Sequence, residues 1–162
     1  MYSLPHLFHM SSDIKIVEQE PVPILSIREK VKNSEIKSKM GEMYGQLWMY
    51  MEKNKIIVTG PPYAVYHDYD QENCDMECGF PTEGQAKGEG NIVSSSVPGG
   101  RCVLEVHAGP YDNIMVTYEL IQNYIHKEGL APKKVMWERY INDPATVKDP
   151  NQLITEIYWP IE

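Results

Sequence analysis

A glutamate between two large side chains is the residue of this chain best suited to chemistry. In a β-strand, alternate side chains point to opposite faces, so Met136, Glu138 and Tyr140 share one face and Trp137 and Arg139 share the other. If the first face lines a cleft, the carboxylate is desolvated and its pKa rises. It can then pair with a cation or act as a general acid or base. The alternative is a solvated strand face on which Glu138 pairs with a lysine.

Tyrosine is the dominant aromatic residue, with 11 copies against two phenylalanines. A tyrosine ring offers a flat apolar face and a polar tip, which suits planar or cationic ligands. For any single tyrosine the alternative is ordinary half-buried packing. We place six of them at strand ends or at the start of a helix, where a cleft would collect them: Tyr63, Tyr66, Tyr69, Tyr111, Tyr140 and Tyr158.

The segment before the second predicted helix is a third candidate feature. His107, Gly109 and Pro110 precede Tyr111, and a Gly-Pro pair is typical of a sharp turn followed by a helix. Tyr111 would therefore lie in the first helical turn, near the strand ends. The alternative is a plain helix start in which Asp112 interacts favourably with the helix dipole.

Several kinds of chemistry lack their motifs in this sequence. It contains no glycine-rich phosphate loop, no Gly-x-Ser-x-Gly turn and no His-Glu-x-x-His motif. His67 and His107 do not have the spacing of a metal-ligand pair. The three cysteines, Cys74, Cys78 and Cys102, include no Cys-x-x-Cys pair, so we predict reduced, buried thiols. We expect neither a metal nor a cofactor.

Composition narrows the classes of partner. The chain has 162 residues, of which 42% are hydrophobic, which is enough for one core. Its net charge of −8, without a basic tract, argues against direct binding to nucleic acid or to an anionic membrane. A cationic or neutral organic ligand suits this charge, although an acidic surface also simply favours solubility. No apolar run spans a bilayer and residues 1–12 lack signal-peptide features, so we predict a cytoplasmic protein with a flexible leader at residues 1–11.

Hydrophobic periodicity predicts two helices and eight strands. The helices run from Glu35 to Lys53 and from Pro110 to Lys127, with Tyr44, Trp48 and Tyr118 on their apolar stripes. Alternation predicts strands at Asp13 to Gln19, Ile24 to Val31, Tyr63 to Tyr69, Asp75 to Phe80, Ile92 to Val97, Cys102 to His107, Lys134 to Ile141 and Leu153 to Trp159. The two strands before each helix flank a proline-containing break, and we expect each pair to form one bent or bulged strand unit.

The order strand unit, helix, strand, strand therefore occurs twice. We predict one α+β domain at residues 12–162, with halves at about 12–82 and 91–162 joined by a polar, glycine-rich linker. The halves would form duplicated βαββ modules with pseudo-twofold symmetry. Antiparallel sheets would carry the helices on one side, and a ligand groove would lie between the halves.

Short matches between the halves accompany this repeat. Val65 to Tyr69 aligns with Met136 to Tyr140, which matches His67 with Glu138. The segment 76–81 aligns with 155–160, sharing the pattern Glu-x-x-aromatic-Pro. Only the second half would then carry the acid, and the predicted groove is asymmetric.

Three motifs of the second half together resemble the GyrI-like family of AraC effector-binding domains over residues 12–162. They are His107-Ala108-Gly109-Pro110-Tyr111, Trp137-Glu138-Arg139-Tyr140 followed by Asn142-Asp143-Pro144, and Thr155-Glu156-Ile157-Tyr158-Trp159-Pro160-Ile161. The resemblance implies a duplicated βαββ fold that binds hydrophobic, often cationic and planar molecules between its halves. It also implies a pocket glutamate at Glu138 and pocket tyrosines at Tyr111 and Tyr158.

Three functions follow from the resemblance. The first is a stand-alone domain that binds multiple drug-like compounds for sequestration or sensing. The second is a hydrolase of cyclopropane-type electrophilic toxins, with Trp137 in the active-site motif, Glu138 activating water and Tyr111 polarising the substrate. The third is an effector module that acts on a protein partner such as DNA gyrase. The ligand-binding set that we predict is Glu138, Tyr111, Trp137, Tyr140, Tyr158, Tyr66, Tyr69 and Trp48.

Overall fold

The computed structural model describes residues 14–162, so the predicted leader at residues 1–11 and the predicted strand start at Asp13 lie outside the described residues. Two helices, α1 (Ile36–Lys53) and α2 (Ile114–Lys127), accompany eight strands. The strands are β1 (Lys15–Gln19), β2 (Val22–Lys32), β3 (Tyr63–Tyr69), β4 (Asn73–Pro81), β5 (Val93–Val97), β6 (Gly100–Ala108), β7 (Met136–Tyr140) and β8 (Ile154–Pro160). Both predicted helices and all eight predicted strands are present.

The strands form one antiparallel sheet in the order β1-β6-β8-β7-β3-β4-β2-β5, and the fold is α+β. The two halves pair with each other through these strands: β1 pairs with β6, and β2 pairs with β5. The expectation that β1 with β2, and β5 with β6, form bent units is confirmed. Gln19 faces Gly100 and Val22 faces Val97, so the register of β1 with β6 continues unchanged into that of β2 with β5, and each unit is one strand interrupted at residues 20–21 or 98–99. Strands β1 to β4 of the first half correspond to β5 to β8 of the second. When each strand is replaced by its counterpart, the same order is read from the opposite end, so the strand order is symmetric about the β3–β7 pair.

The strand register identifies which residues correspond in the two halves. Cys78 and Ile157 each lie three residues before the proline that ends their strand. Cys78 pairs with Ala64 and Ile157 pairs with Glu138, so Ala64 is the counterpart of Glu138. The two counterparts also face each other across the β3–β7 pair. The sequence match of His67 with Glu138 was displaced by three residues, because short aromatic patterns do not determine register.

Both faces of the sheet carry buried clusters. One face carries α1 over a cluster that includes Leu25, Leu47 and Met76, and α2 over a second cluster that includes Val103 and Ile121. The opposite face carries a third cluster, drawn from strands at both ends of the sheet: Ile24, Tyr63, Val65, Val97, Cys102, Trp137 and Tyr158. Residues from distant strands meet there because the sheet is curled.

Candidate functional site

The candidate site lies at the centre of the sheet, on the helix-bearing face. Helix α1 packs on β2 and β4 and helix α2 packs on β6, so the β3–β7 pair lies between them. Strand alternation places Ala64 and Tyr66 of β3 on this face, together with Met136, Glu138 and Tyr140 of β7. The alternation predicted for β7 is confirmed.

Glu138 is held by two tyrosine hydroxyls. Its side chain is buried, with only 7% of the residue exposed. The Tyr118 hydroxyl on α2 donates a short hydrogen bond to Glu138 Oε2, and the Tyr140 hydroxyl donates to Oε1 at 2.6 Å. Among residues 14–162, no lysine or arginine forms an ion pair with this carboxylate. The alternative of a solvated strand face is therefore wrong.

Burial dominates the protonation behaviour of the site. It raises the pKa of Glu138, although the hydrogen bonds from Tyr118 and Tyr140 and the nearby His107 act in the opposite direction. Burial, together with the charge of Glu138, raises the pKa of Tyr118 and Tyr140 well above its ordinary value. The two phenols therefore remain protonated near neutral pH and can donate to the carboxylate.

Two further tyrosines extend this group towards α1. Burial raises the pKa of Tyr66 and Tyr44 well above its ordinary value, and Glu138 contributes to both shifts. The Tyr44 hydroxyl donates to the Tyr63 carbonyl at 2.5 Å, which ties α1 to β3. We call Glu138 with the four tyrosines, Tyr44, Tyr66, Tyr118 and Tyr140, the tyrosine–glutamate cluster.

Tyr44 and Tyr118 were absent from the predicted binding set. Both were placed on the apolar stripes of their helices, and this was the available signal, because a tyrosine on a buried stripe needs a partner for its hydroxyl. The sequence does not show which strand each helix covers. The partner of Tyr118 was therefore visible only in the structure.

Tyr111 lies beside the cluster, as its place before α2 predicted. Its ring meets that of Tyr140 edge to face, with centroids 5.8 Å apart. His107 fixes this segment: Nε2 donates to the Pro110 carbonyl at 2.8 Å, and Nδ1 lies 2.7 Å from the Thr117 hydroxyl. Because a carbonyl oxygen only accepts, a neutral His107 carries its proton on Nε2 and accepts from Thr117.

Trp137 and Tyr158 are not brought together with Glu138. They belong to the cluster on the opposite face, where their rings stack with centroids 5.8 Å apart and 18° between the ring planes. The Tyr158 hydroxyl donates to Glu156 Oε1 at 2.8 Å, and Glu156 also pairs with Arg139 at 3.1 Å. Adjacent residues of a strand point to opposite faces, so the Trp-Glu pair cannot line one side of a pocket.

Trp48 and Tyr69 lie at the margin of the site. Trp48 is 51% exposed and contacts the Phe80 ring at 5.9 Å, and Phe80 in turn meets Tyr44 at 5.4 Å. Tyr69 is 49% exposed at the end of β3 and interacts electrostatically with Tyr118. Both are placed to form an outer rim rather than the buried centre.

His67 contributes to a different polar group on the opposite face. Its Nε2 lies 2.7 Å from Glu77 Oε1, and the Ser26 hydroxyl donates to Glu77 Oε2 at 2.5 Å. Within residues 14–162, no three His, Cys, Asp or Glu side chains are grouped so that they could hold a metal ion. None of the helices in this part of the chain is long and apolar enough to cross a membrane.

The fold and site define an α+β domain with a buried acid among aromatic hydroxyls. Residues 12–162 match the family model described as the GyrI-like small molecule binding domain. The chain belongs to this family, and the resemblance seen in its sequence is confirmed.

Solved structures agree with this assignment. The C-terminal domain of EcmrR is 25% identical, with a TM-score of 0.78 over 93% of this chain and 97% of that domain. SAV2435 bound to tetraphenylphosphonium is 10% identical, with a TM-score of 0.64 over 93% of this chain and 94% of the other. A hydrolase from Listeria innocua is 12% identical, with a TM-score of 0.66 over 98% and 96%. This chain spans 63% of the EcmrR chain in its DNA complex.

Proposed function

We propose that this domain binds hydrophobic, cationic or planar compounds at the tyrosine–glutamate cluster, and that it serves to sequester or sense them. The observation that carries the proposal is the buried carboxylate of Glu138, whose oxygens accept hydrogen bonds from Tyr118 and Tyr140. A buried carboxylate without an ionic partner is costly, and a ligand cation would supply the missing charge. The surrounding tyrosine rings suit the flat or charged groups of such a ligand.

The net charge of the chain supports the same choice. At −8, the protein attracts cations and repels anions at long range. The bound tetraphenylphosphonium of SAV2435 is a hydrophobic cation, although the 10% identity carries the fold alone. In the structure the tyrosines pack against Glu138, so Tyr118 and Tyr140 would have to release the carboxylate when a cation takes their place.

Calorimetric titration with tetraphenylphosphonium tests the proposal. We expect saturable binding that weakens at least about tenfold in Glu138→Gln, because the amide keeps the shape and loses the charge. Glu156→Gln is the matched control, since Glu156 is a strand carboxylate on the opposite face, and its affinity should stay within about twofold. The affinity for triphenylphosphine oxide, which is neutral, should be the same in wild type and Glu138→Gln. Equal binding of tetraphenylphosphonium by wild type and Glu138→Gln would refute the role of the carboxylate.

The raised pKa of Glu138 gives this binding a pH dependence. A cation prefers the ionised carboxylate, so its affinity should rise as the pH rises through the pKa of Glu138 and then level off. The dependence should disappear in Glu138→Gln. A wild-type affinity that is flat from about pH 5 to 8 would mean that Glu138 does not titrate in the free protein.

The same geometry favours a hydrolase as the second candidate. A glutamate with a raised pKa next to Tyr111 and Tyr140 is a suitable general acid or base. Incubation with cyclopropane-bearing electrophiles, followed by mass spectrometry, tests this reaction. A hydrolase should yield a product that gains one water, at a rate that falls by about 10²–10⁴ in Glu138→Gln. Saturable binding without product would refute the hydrolase and support the binding function.

The protein partner and the cytoplasmic location both remain predictions from the sequence. A protein partner such as DNA gyrase rests on the resemblance only. A cytoplasmic location is compatible with the three buried cysteines, Cys74, Cys78 and Cys102, which are free thiols.

A further inference from the structure

A buried hydroxyl next to the tyrosine–glutamate cluster has no partner. Thr155 of β8 is 0% exposed, and its Oγ1 atom makes no hydrogen bond with any residue of the described chain. Thr155 lies directly opposite Tyr140 on one side and His107 on the other. Its side chain therefore shares the helix-bearing face with Glu138.

The two polar neighbours of Thr155 are engaged elsewhere. The Tyr140 hydroxyl donates to Glu138, and both ring nitrogens of His107 are held by Thr117 and the Pro110 carbonyl. A threonine hydroxyl both donates and accepts, and burying it without a partner costs free energy. The protein thus keeps an unused hydrogen-bonding group inside its second half.

The fold does not require a polar residue at this position. Thr155 lies five residues before Pro160, and Met76 lies five residues before Pro81, so the two correspond. Met76 is also 0% exposed and packs in the apolar cluster beneath α1. An apolar side chain therefore suits the equivalent place in the symmetric scaffold, and the threonine needs another explanation.

We infer that Thr155 is a specificity-determining residue of the Glu138 site, which donates one hydrogen bond to a hydroxyl or carbonyl oxygen of the ligand, or accepts one from a ligand hydroxyl. Glu138 faces Ile157 in the register, so Thr155 is its diagonal neighbour, about 7–8 Å away. The preferred ligand then has a cationic centre near Glu138 and an oxygen at about this distance from it. This inference rests on the proposed function and adds the class of ligand that the site selects.

Two matched cations test the inference. Tetraphenylphosphonium has no hydrogen-bonding group, whereas its meta- and para-hydroxyphenyl derivatives add one oxygen to the same body. Titrations at about pH 6.5, where the phenol keeps its proton, give the ratio of the two dissociation constants. We expect one of the hydroxylated cations to bind wild type about tenfold more tightly, since it satisfies a buried group.

Thr155→Val removes the hydroxyl and keeps the shape. It should bring the dissociation constants of the hydroxylated and unsubstituted cations to within about twofold of each other, and Thr155→Ser should retain the preference. The melting temperature of Thr155→Val should not fall below that of wild type, because the lost hydroxyl had no hydrogen-bond partner. A preference that survives Thr155→Val, or equal affinities in wild type, would overturn the inference while the proposed function stands. A lower melting temperature with an unchanged preference would show a structural hydroxyl and overturn it too. If wild type binds none of these cations, both proposals fail.

Discussion

Two buried glutamates on opposite faces of the sheet should respond to pH in opposite directions. Burial raises the pKa of Glu138 above its ordinary value. Burial acts on Glu77 in the same sense, but the hydrogen bonds from His67, Ser26 and Ser95 outweigh it, and the pKa of Glu77 is lowered. Both residues are buried, and the hydrogen bonds that Glu77 accepts give its pKa shift the opposite direction.

The sign of each contribution to stability follows from these shifts. Glu138 binds its proton more tightly in the folded chain, so its contribution is present below the unfolded pKa and is lost as the pH rises through the folded pKa. One proton limits this loss to about 1.4 kcal/mol per pH unit. Glu77 binds its proton less tightly in the folded chain. Its contribution is therefore present above the unfolded pKa and is lost as the pH falls through the folded pKa.

Glutamine substitutions separate the two effects. Glu138→Gln imitates the neutral acid. The free energy of unfolding of this variant, relative to that of wild type, should therefore increase as the pH rises from about 4 to 8. Glu77→Gln removes hydrogen bonds to a charged group and should cost about 1.5–3 kcal/mol at neutral pH, with a smaller cost in acid. Urea unfolding at each pH measures both, and Glu18→Gln on the exposed side of β1 is the control. Parallel pH curves for the two variants would refute the reasoning.

Two further predictions concern a hydrogen bond and two glycines. Tyr118→Phe keeps the ring but removes the hydrogen bond to Glu138, so it should cost about 1–3 kcal/mol in urea unfolding at neutral pH; no loss there would mean that the bond is absent in solution. Gly45→Ala on the open face of α1 should raise stability by about 0.5–1 kcal/mol, whereas Gly99→Ala should lower it. Gly99 has φ +72°, and an added Cβ would lie 2.7 Å from the Pro21 nitrogen. Thermal unfolding of both glycine variants checks the opposite signs.

Periodicity predicted the elements well because it is a local property. The helical stripe of α1 and the alternation in β7 both depend on which side chains are buried along one segment. The pairing of the two bent strand units with each other was not predictable in this way. Which strand β1 pairs with depends on contacts between residues far apart in sequence, and alternation is the same whichever partner it has.

The site was predicted in part for the same reason. Alternation correctly joined Glu138 with Tyr140, and the turn before α2 correctly placed Tyr111 near them. Trp137 and Tyr158 were added from motifs of contiguous residues, and contiguity in a strand separates side chains onto opposite faces. The missing members came from helices, whose position over the sheet is set by tertiary packing.

The comparison of the two halves shows that the buried carboxylate and threonine hydroxyl of the helix-bearing face lie in only one of them. Ala64 and Met76 are both fully buried in the first half, and their counterparts in the second half are Glu138 and Thr155. Buried polar groups are less favourable than apolar ones unless something satisfies them. Since the symmetric scaffold accommodates apolar residues at these positions, stability does not explain the acid and the hydroxyl. A ligand that satisfies both groups would explain why the second half, and not the first, contains them.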